Sequence, residues 1–226
     1  MSFDFEAFRG NFSLRSVFDL RRFNKNFRSS HPDYFYPDGT ILFCGKQGSG
    51  KTLSAVRYID RIASRYPKAI IVSNINLNLD SSNDILPYEG LIKLSEMDNG
   101  EFGIICFIDE IQTEFSSLES KKVSPSVLAM ISQQRKRRCH IVGTTQLFGR
   151  VSKPFREQCS AAVDCTSILG GLLQRNHVID LNTCLESDSG SLQGYEYSWH
   201  ATFVRDPRLF EKYDTYQRIF HHGFDS

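Results

Sequence analysis

The sequence has no Cys-x-x-Cys pair. Its six cysteines, 44, 106, 139, 159, 165 and 184, stand singly, several of them inside apolar runs. That spacing excludes a zinc knuckle and a disulfide frame, and it leaves reduced core thiols of a cytoplasmic chain. His177, His200, His221 and His222 show no metal-ligand spacing and read as surface or core histidines. No apolar run approaches the roughly 20 residues needed to span a bilayer. The N-terminus is acidic and aromatic rather than signal-like, so the chain is expected to be soluble and to meet a membrane only through a partner. Charge of one sign is not in excess either: the formal net charge is +1, so contacts with nucleic acid must come from local patches rather than a global field. The 40% hydrophobic and 23% charged content is that of an ordinary globular protein. A length of 226 residues suits one domain, or one domain with an arm.

The most informative stretch is Ile41-Leu42-Phe43-Cys44 followed by Gly45-Lys46-Gln47-Gly48-Ser49-Gly50-Lys51-Thr52. An apolar strand meets a glycine-rich loop, and the helical spacing Leu53, Val56, Ile59, Ile62 follows at once. This is G-x-x-x-x-G-K-[ST] between a strand and a helix, the context that distinguishes a phosphate-binding loop from a chance turn. Glycines let successive backbone N–H groups turn inward, and the helix adds its positive N-terminal end. Gly45, Lys46, Gln47, Gly48, Ser49, Gly50, Lys51, Thr52 and Leu53 are therefore the candidate nucleotide contacts. Lys51 would reach the β- and γ-phosphates of ATP, and the Thr52 hydroxyl would hold Mg²⁺.

A second buried run, Phe102 to Ile108, ends in Asp109-Glu110. Carboxylates at the carboxyl end of a parallel strand lie where an open α/β sheet keeps its ligands. Asp109 fits the role of a magnesium ligand beside Thr52, and Glu110 that of the base that polarises the attacking water. His140 to Thr145 is another buried strand, stopping at Gln146 on the same edge. Gln146 either senses the γ-phosphate or is a satisfied strand-end amide.

Two further strands are expected at Ala69–Asn74 and Ala161–Ile168. Tyr195 to Phe203 alternates as a half-exposed antiparallel strand whose partner lies near Val178 to Leu181. Ser124-Pro125 resembles a helix start, and that helix would end in Arg135-Lys136-Arg137-Arg138. This basic end complements the helix terminus, touches DNA phosphates, or reaches a neighbouring subunit's γ-phosphate. Arg150, Lys153 and Arg156 form a second cationic cluster open to the same roles. Residues 1–39 form a separate region, an aromatic and basic arm with one amphipathic helix between Ser13 and Phe27. It packs its phenylalanines on the core or a neighbour, or touches nucleic acid or a partner.

These residues resemble the HerA/FtsK-like group of P-loop motor ATPases. In particular they are similar to the zonular-occludens-toxin-type domain of filamentous phage assembly proteins and to small viral packaging ATPases. The resemblance rests on Gly45–Thr52, Val72-Ser73-Asn74-Ile75, Ile108-Asp109-Glu110, Gln133-Gln134-Arg135, Thr144-Thr145-Gln146 and the tail Phe210–Tyr216. It implies a three-layer α/β/α P-loop NTPase over residues 40–226, with a mainly parallel sheet in the order 5-1-4-3-2 and an antiparallel C-terminal extension. It also implies a ring of subunits that hydrolyse ATP and move DNA in genome packaging or virion assembly, together with capsid or other assembly proteins. Those phage proteins carry a membrane-spanning segment after this domain, whereas this sequence stops at Ser226. Two other readings remain. Lys46 lies where partition-type ATPases with a deviant loop have a trans-acting lysine, although Gln47 replaces a glycine of that motif. A scaffold that keeps ATP bound without turnover has the same sequence signature.

Overall fold

A computed structural model describes residues 14–36, 39–115, 133–181, 185–186, 192–193 and 196–214. The proposed helix from Ser124, Cys184 and the tail from Thr215 lie outside the described residues. The chain divides into two compact units, Met1–Tyr34 and Phe35–Ser226.

In the first unit, α1 (Leu14–Ser30) carries exposed Phe18 and Phe23 among its cations. It ends where Ser29 and Ser30 hydroxyls donate back to the carbonyls of Lys25 and Asn26, and where Phe27 stacks on His31 with ring centroids 4.4 Å apart.

The second unit is built on an eight-stranded sheet. In chain order its strands are β1 (Thr40–Cys44), β2 (Ile70–Ser73), β3 (Ile85–Pro87), β4 (Ile104–Ile108), β5 (Cys139–Thr145), β6 (Cys159–Ile168), β7 (Leu173–Ile179) and β10 (Tyr197–Val204). A separate two-stranded ladder pairs β8 (Leu185–Glu186) with β9 (Leu192–Gln193). The order across the sheet is β10-β7-β6-β1-β5-β4-β2-β3. From β6 to β2 this is the 5-1-4-3-2 sequence expected above, with the Gln146 strand between the loop strand and the Asp109 strand. Pairing is parallel from β6 through to β3, and antiparallel from β6 to β7 and β7 to β10.

Central β4 and β5 are buried along their whole length, because parallel crossovers cover both faces. On one face α2 (Lys51–Arg65) sets Val56, Ile59 and Ala63 against Phe43, Ile71, Ile105, Phe107, Val142 and Val163. The other set of the two-residue alternation, Leu42, Ile104, Cys106, Ile108 and Ile141, packs with Tyr88, Leu94, Phe115, Phe148 and Phe155. Those residues come from the short helix α3 (Leu91–Glu96) and the loop before it, from the segment that follows β4, and from the turn and helix α4 (Lys153–Arg156) after β5.

Three features depart from the sequence reading. The edge strand β3 was not expected; it is three residues long, exposed, and ends in Pro87, which an edge tolerates. Leu91–Glu96, where no element was expected, is helical. The alternation in β10 buries neither of its first two aromatics, since Tyr197 and Trp199 are both exposed. β10 is the open edge of the sheet, and only Ala201 and Phe203 gain cover, Phe203 from the Arg57 guanidinium 4.1 Å above its ring.

The chain then turns back through α5 (Pro207–Phe210). Lys212 accepts at its carbonyl from Asn78 N, and Tyr213 bridges to Leu77. The Lys212 ammonium is buried between Asp60 of α2, at 2.7 Å, and Asp80, at 2.5 Å.

Candidate active site

All the parallel strands point their carboxyl ends to one edge, and four loops from that edge meet. The loop after β1 is bent by Gly45 (φ 148°), Gly48 (φ 77°) and Gly50 (φ 85°), a region that side chains other than glycine enter at a cost. Close approach adds a second demand at two of them. A Cβ on Gly45 would lie 2.7 Å from the Cys165 carbonyl oxygen, and one on Gly50 would lie 2.0 Å from Gln174 Oε1. Ser49 N donates to Lys46 O at 3.1 Å, closing the turn, and α2 starts at Lys51. The Lys51 ammonium is buried and lies across its own loop, donating to Lys46 O at 3.3 Å.

Asp109 meets this loop directly. Thr52 Oγ1 donates to Asp109 Oδ1 at 2.9 Å, and Thr144 Oγ1, from β5, donates to the same oxygen at 2.8 Å. The Thr144 hydroxyl also accepts from Glu110 N at 2.9 Å. Asn74, just past β2, accepts from Asp109 N at 2.8 Å and donates to Asp109 O at 2.9 Å. Burial pushes the Asp109 carboxyl up from the usual carboxylate range. The Thr144 and Thr52 hydroxyls and the Lys51 charge oppose that shift, and Glu110 adds to it. Such a buried carboxylate gains from any cation placed beside it.

Glu110 takes the left-handed conformation, φ 56° and ψ 51°, unusual for a residue with a side chain. It is held there by Thr144 at its N–H and by Thr113 N and Oγ1, which both donate to its carbonyl. Its carboxylate accepts from Gln112 Nε2. Gln146, half-buried beyond β5, accepts at Oε1 from Arg150 at 3.0 Å, so this pair is held together on the same edge.

Other cations lie elsewhere. Arg137 and Arg138 stand just before Cys139, at the amino end of β5 and so on the sheet edge opposite the phosphate loop. There they donate to the carbonyls of Ser95 and Gly100. Arg156 turns inward onto its own loop, donating to Gly149 O and Val151 O beside the Phe148 ring.

Sequence reasoning missed the roles of Asn74 and Thr144, and missed Gln174 and Asn176 altogether. Asn74 and Thr144 carry a signal, since each is a polar residue that ends a buried strand. Gln174 and Asn176 carry none.

The match to known families follows this geometry. Residues 39–215 match the model of the zonular occludens toxin (Zot) family. The chain belongs to that family. Its Zot region contains the loop, Asp109, Glu110, Gln146 and the β7–β10 extension, leaving α1 outside. No curated protein matches the sequence. Among solved structures, the chain is similar to the N-terminal domain of zonular occludens toxin from Neisseria meningitidis. The TM-score is 0.51 at 13% identity, covering 78% of this chain and 98% of that one. It is also similar to the genome packaging NTPase B204 from Sulfolobus turreted icosahedral virus 2, in complex with ATP-gammaS. There the TM-score is 0.51 at 12% identity, covering 72% of this chain and 99% of the viral one. At these identities the likeness is one of fold, a P-loop NTPase with a mixed, mostly parallel sheet. No described helix of this Zot-family chain is long and apolar enough to cross a membrane.

Proposed function

We propose that residues 40–226 form an ATPase domain, with residues 1–39 as an arm, and that the domain binds ATP with Mg²⁺ and hydrolyses it. We infer further that turnover powers DNA movement in phage or virus morphogenesis, in an oligomer that is a ring. The observation that carries the reading is the 2.9 Å hydrogen bond from Thr52 to Asp109, which joins the two motif ends across 57 positions of sequence.

The donor set suits magnesium. A hydroxyl and a carboxylate oxygen 2.9 Å apart match the edge of an octahedron whose metal–oxygen bonds are about 2.0–2.1 Å. No cluster of three or more His, Cys, Asp or Glu that could hold a metal occurs among the described residues. Magnesium needs no such cluster, because it is held by one or two protein oxygens and the phosphates of its nucleotide. Bound at Thr52 and Asp109, the ion would neutralise charge on the phosphate oxygens.

The remaining roles belong to the chain itself. The amides of Gly45 to Thr52 and the start of α2 donate to the phosphates, and the Lys51 ammonium leaves the Lys46 carbonyl to reach them. Glu110 accepts a proton from the attacking water once its carboxylate parts from Gln112. Gln146, steadied by Arg150, orients that water or reads the γ-phosphate. Likeness in fold to a genome packaging NTPase, together with Zot family membership, supports the transport role. DNA contacts fall to Arg135–Arg138 on the far edge and to the exposed Arg150.

The test is phosphate release by the purified protein, with and without single- and double-stranded DNA, beside a mass measurement with a non-hydrolysable ATP analogue. Expected are turnover that DNA raises, and a nucleotide-dependent oligomer. Lys51→Ala abolishes turnover, and Glu110→Gln lowers it roughly 10²–10⁴-fold while ATP stays bound. A wild-type protein that binds ATP and never hydrolyses it would leave a scaffold instead of a motor.

A further inference from the structure

β6 outruns the strand beside it. Cys44, the last residue of β1, is level with Asp164, and β6 continues four residues further to Ile168 before β7 returns antiparallel. The hairpin so formed stands beside the phosphate loop. From β7, opposite Ser167, Gln174 packs against the loop backbone and is fully buried. Its Nε2 donates to Ser49 O at 2.9 Å and to Asn176 Oδ1 at 3.2 Å. Asn176 Oδ1 accepts in turn from Ser54 Oγ, at 2.9 Å, on the first turn of α2. The other end of the amide, Gln174 Oε1, is buried with no hydrogen-bond partner and lies where only a glycine at position 50 leaves room.

Ser49 O belongs to the peptide that ends in Gly50 N. In a trans peptide the C=O and N–H point to opposite sides. No peptide bond among the described residues is cis. Tying Ser49 O to β7 therefore turns Gly50 N–H the other way, away from the β6–β7 hairpin. Gly50 in its left-handed conformation is a flexible joint, and nothing within the loop itself fixes this plane.

We propose that Gln174 is a positioning residue of the nucleotide site, which holds the Ser49–Gly50 peptide with its N–H aimed at the phosphates. Asn176 and Ser54 hold the Gln174 amide in the orientation this needs. The inference rests on the ATP-binding reading of the loop and adds to it a residue from outside both motifs.

The experiment is a titration of wild type, Gln174→Met and Gln174→Glu with a fluorescent ATP and a fluorescent ADP, followed by steady-state kinetics. Methionine keeps the length and removes the donor; glutamate sets a carboxylate against the Ser49 carbonyl. Gln174→Met is expected to weaken ATP and ADP alike by about tenfold, the scale of one buried hydrogen bond. KM should rise by that factor with kcat within about twofold, because the loop grips the phosphates equally before and during reaction. Gln174→Glu should lose more. A merely structural role would lower the melting temperature and leave affinity in the folded protein unchanged, and that outcome overturns the proposal. Should Gln174→Met fail to fold, Asn176→Ser takes its place. It frees the Gln174 amide to rotate and should weaken ATP about threefold, with wild-type affinity again overturning the idea. Wild type that binds no ATP would instead overturn the function proposed for the loop, and this inference with it.

Discussion

Asn74 pairs with Asp109 as one more rung of the sheet would. β2 stops at Ser73 and β4 at Ile108. One residue beyond each, the Asn74 side-chain amide accepts from Asp109 N and donates to Asp109 O. A side chain thus extends the ladder past the point where the two backbones part, and fixes the peptide that carries the acidic residue. Replacing Asn74 by Ala leaves a backbone donor and acceptor without partners in a half-buried place. It should destabilise by about 1–3 kcal/mol, read from the urea midpoint. An unchanged midpoint would show that water replaces the amide.

Thr144 does for the Asp109 side chain what Asn74 does for its backbone. Thr144→Val keeps the shape but takes a donor from Asp109 Oδ1 and an acceptor from Glu110 N. The expected result is a loss of about 1–3 kcal/mol and a higher magnesium concentration for half-maximal ATP hydrolysis. A variant with wild-type magnesium response would remove Thr144 from the site.

The loop glycines separate two effects. A Cβ on Gly48 meets nothing within 4 Å, so Gly48→Ala carries only the left-handed strain, about 1–2 kcal/mol. Gly50→Ala adds the clash with buried Gln174, and it should destabilise by clearly more and abolish nucleotide binding. Combining it with Gln174→Ala should recover part of the stability, measured by thermal melting. Equal melting temperatures for the two single variants would contradict this.

How much of this was legible in the sequence follows from distance along the chain. The phosphate loop declares itself because strand, glycines, lysine and helix are contiguous. Asp109-Glu110 declares itself because a run of buried residues ends in two charges. The place of the Gln146 strand between the other two is not written in any local pattern, and came from family resemblance. Gln174 could not be read at all. Its partner Ser49 is 125 positions away, and Leu-Gln-Arg-Asn-His-Val-Ile looks like any half-solvated strand. β10 misled for a related reason: alternation predicts a buried face only if something lies over it, and at the sheet edge little does.

Lys212 gives a test of the C-terminal segment. Burial works against its charge, but the hydrogen bonds to Asp60 and Asp80 outweigh that and hold its pKa above the ordinary lysine value. A group whose pKa is raised on folding contributes stability that is complete below its unfolded value, near about 10.5. The contribution is lost as pH rises through the folded value. The stability difference between wild type and Lys212→Met should therefore be flat from neutral pH to about 10 and shrink above it. Asp60 is far better shielded than Asp80, so Asp60→Asn should lower stability by about 1–3 kcal/mol and Asp80→Asn by less than about 1 kcal/mol. The reverse ranking would refute the assignment.

The thiols offer a last measurement. Burial pushes Cys139 and Cys165 up to about 12, and raises Cys44, Cys106 and Cys159 as well. Almost no thiolate is present at pH 8, so iodoacetamide should leave these five unmodified in the native protein and label them in urea. Rapid native labelling of any of them, located by peptide mass, would show that the core opens there.

Because β6 overshoots β1 and turns back, the wall beside the glycine-rich loop is supplied by chain that comes after that loop, Asp109-Glu110 and Gln146. A fragment ending at Gln146 would keep both hallmark segments and lose the wall. Recognisability and competence are thus separable, and such a fragment is expected to bind ATP more weakly than a chain that runs through Asn176.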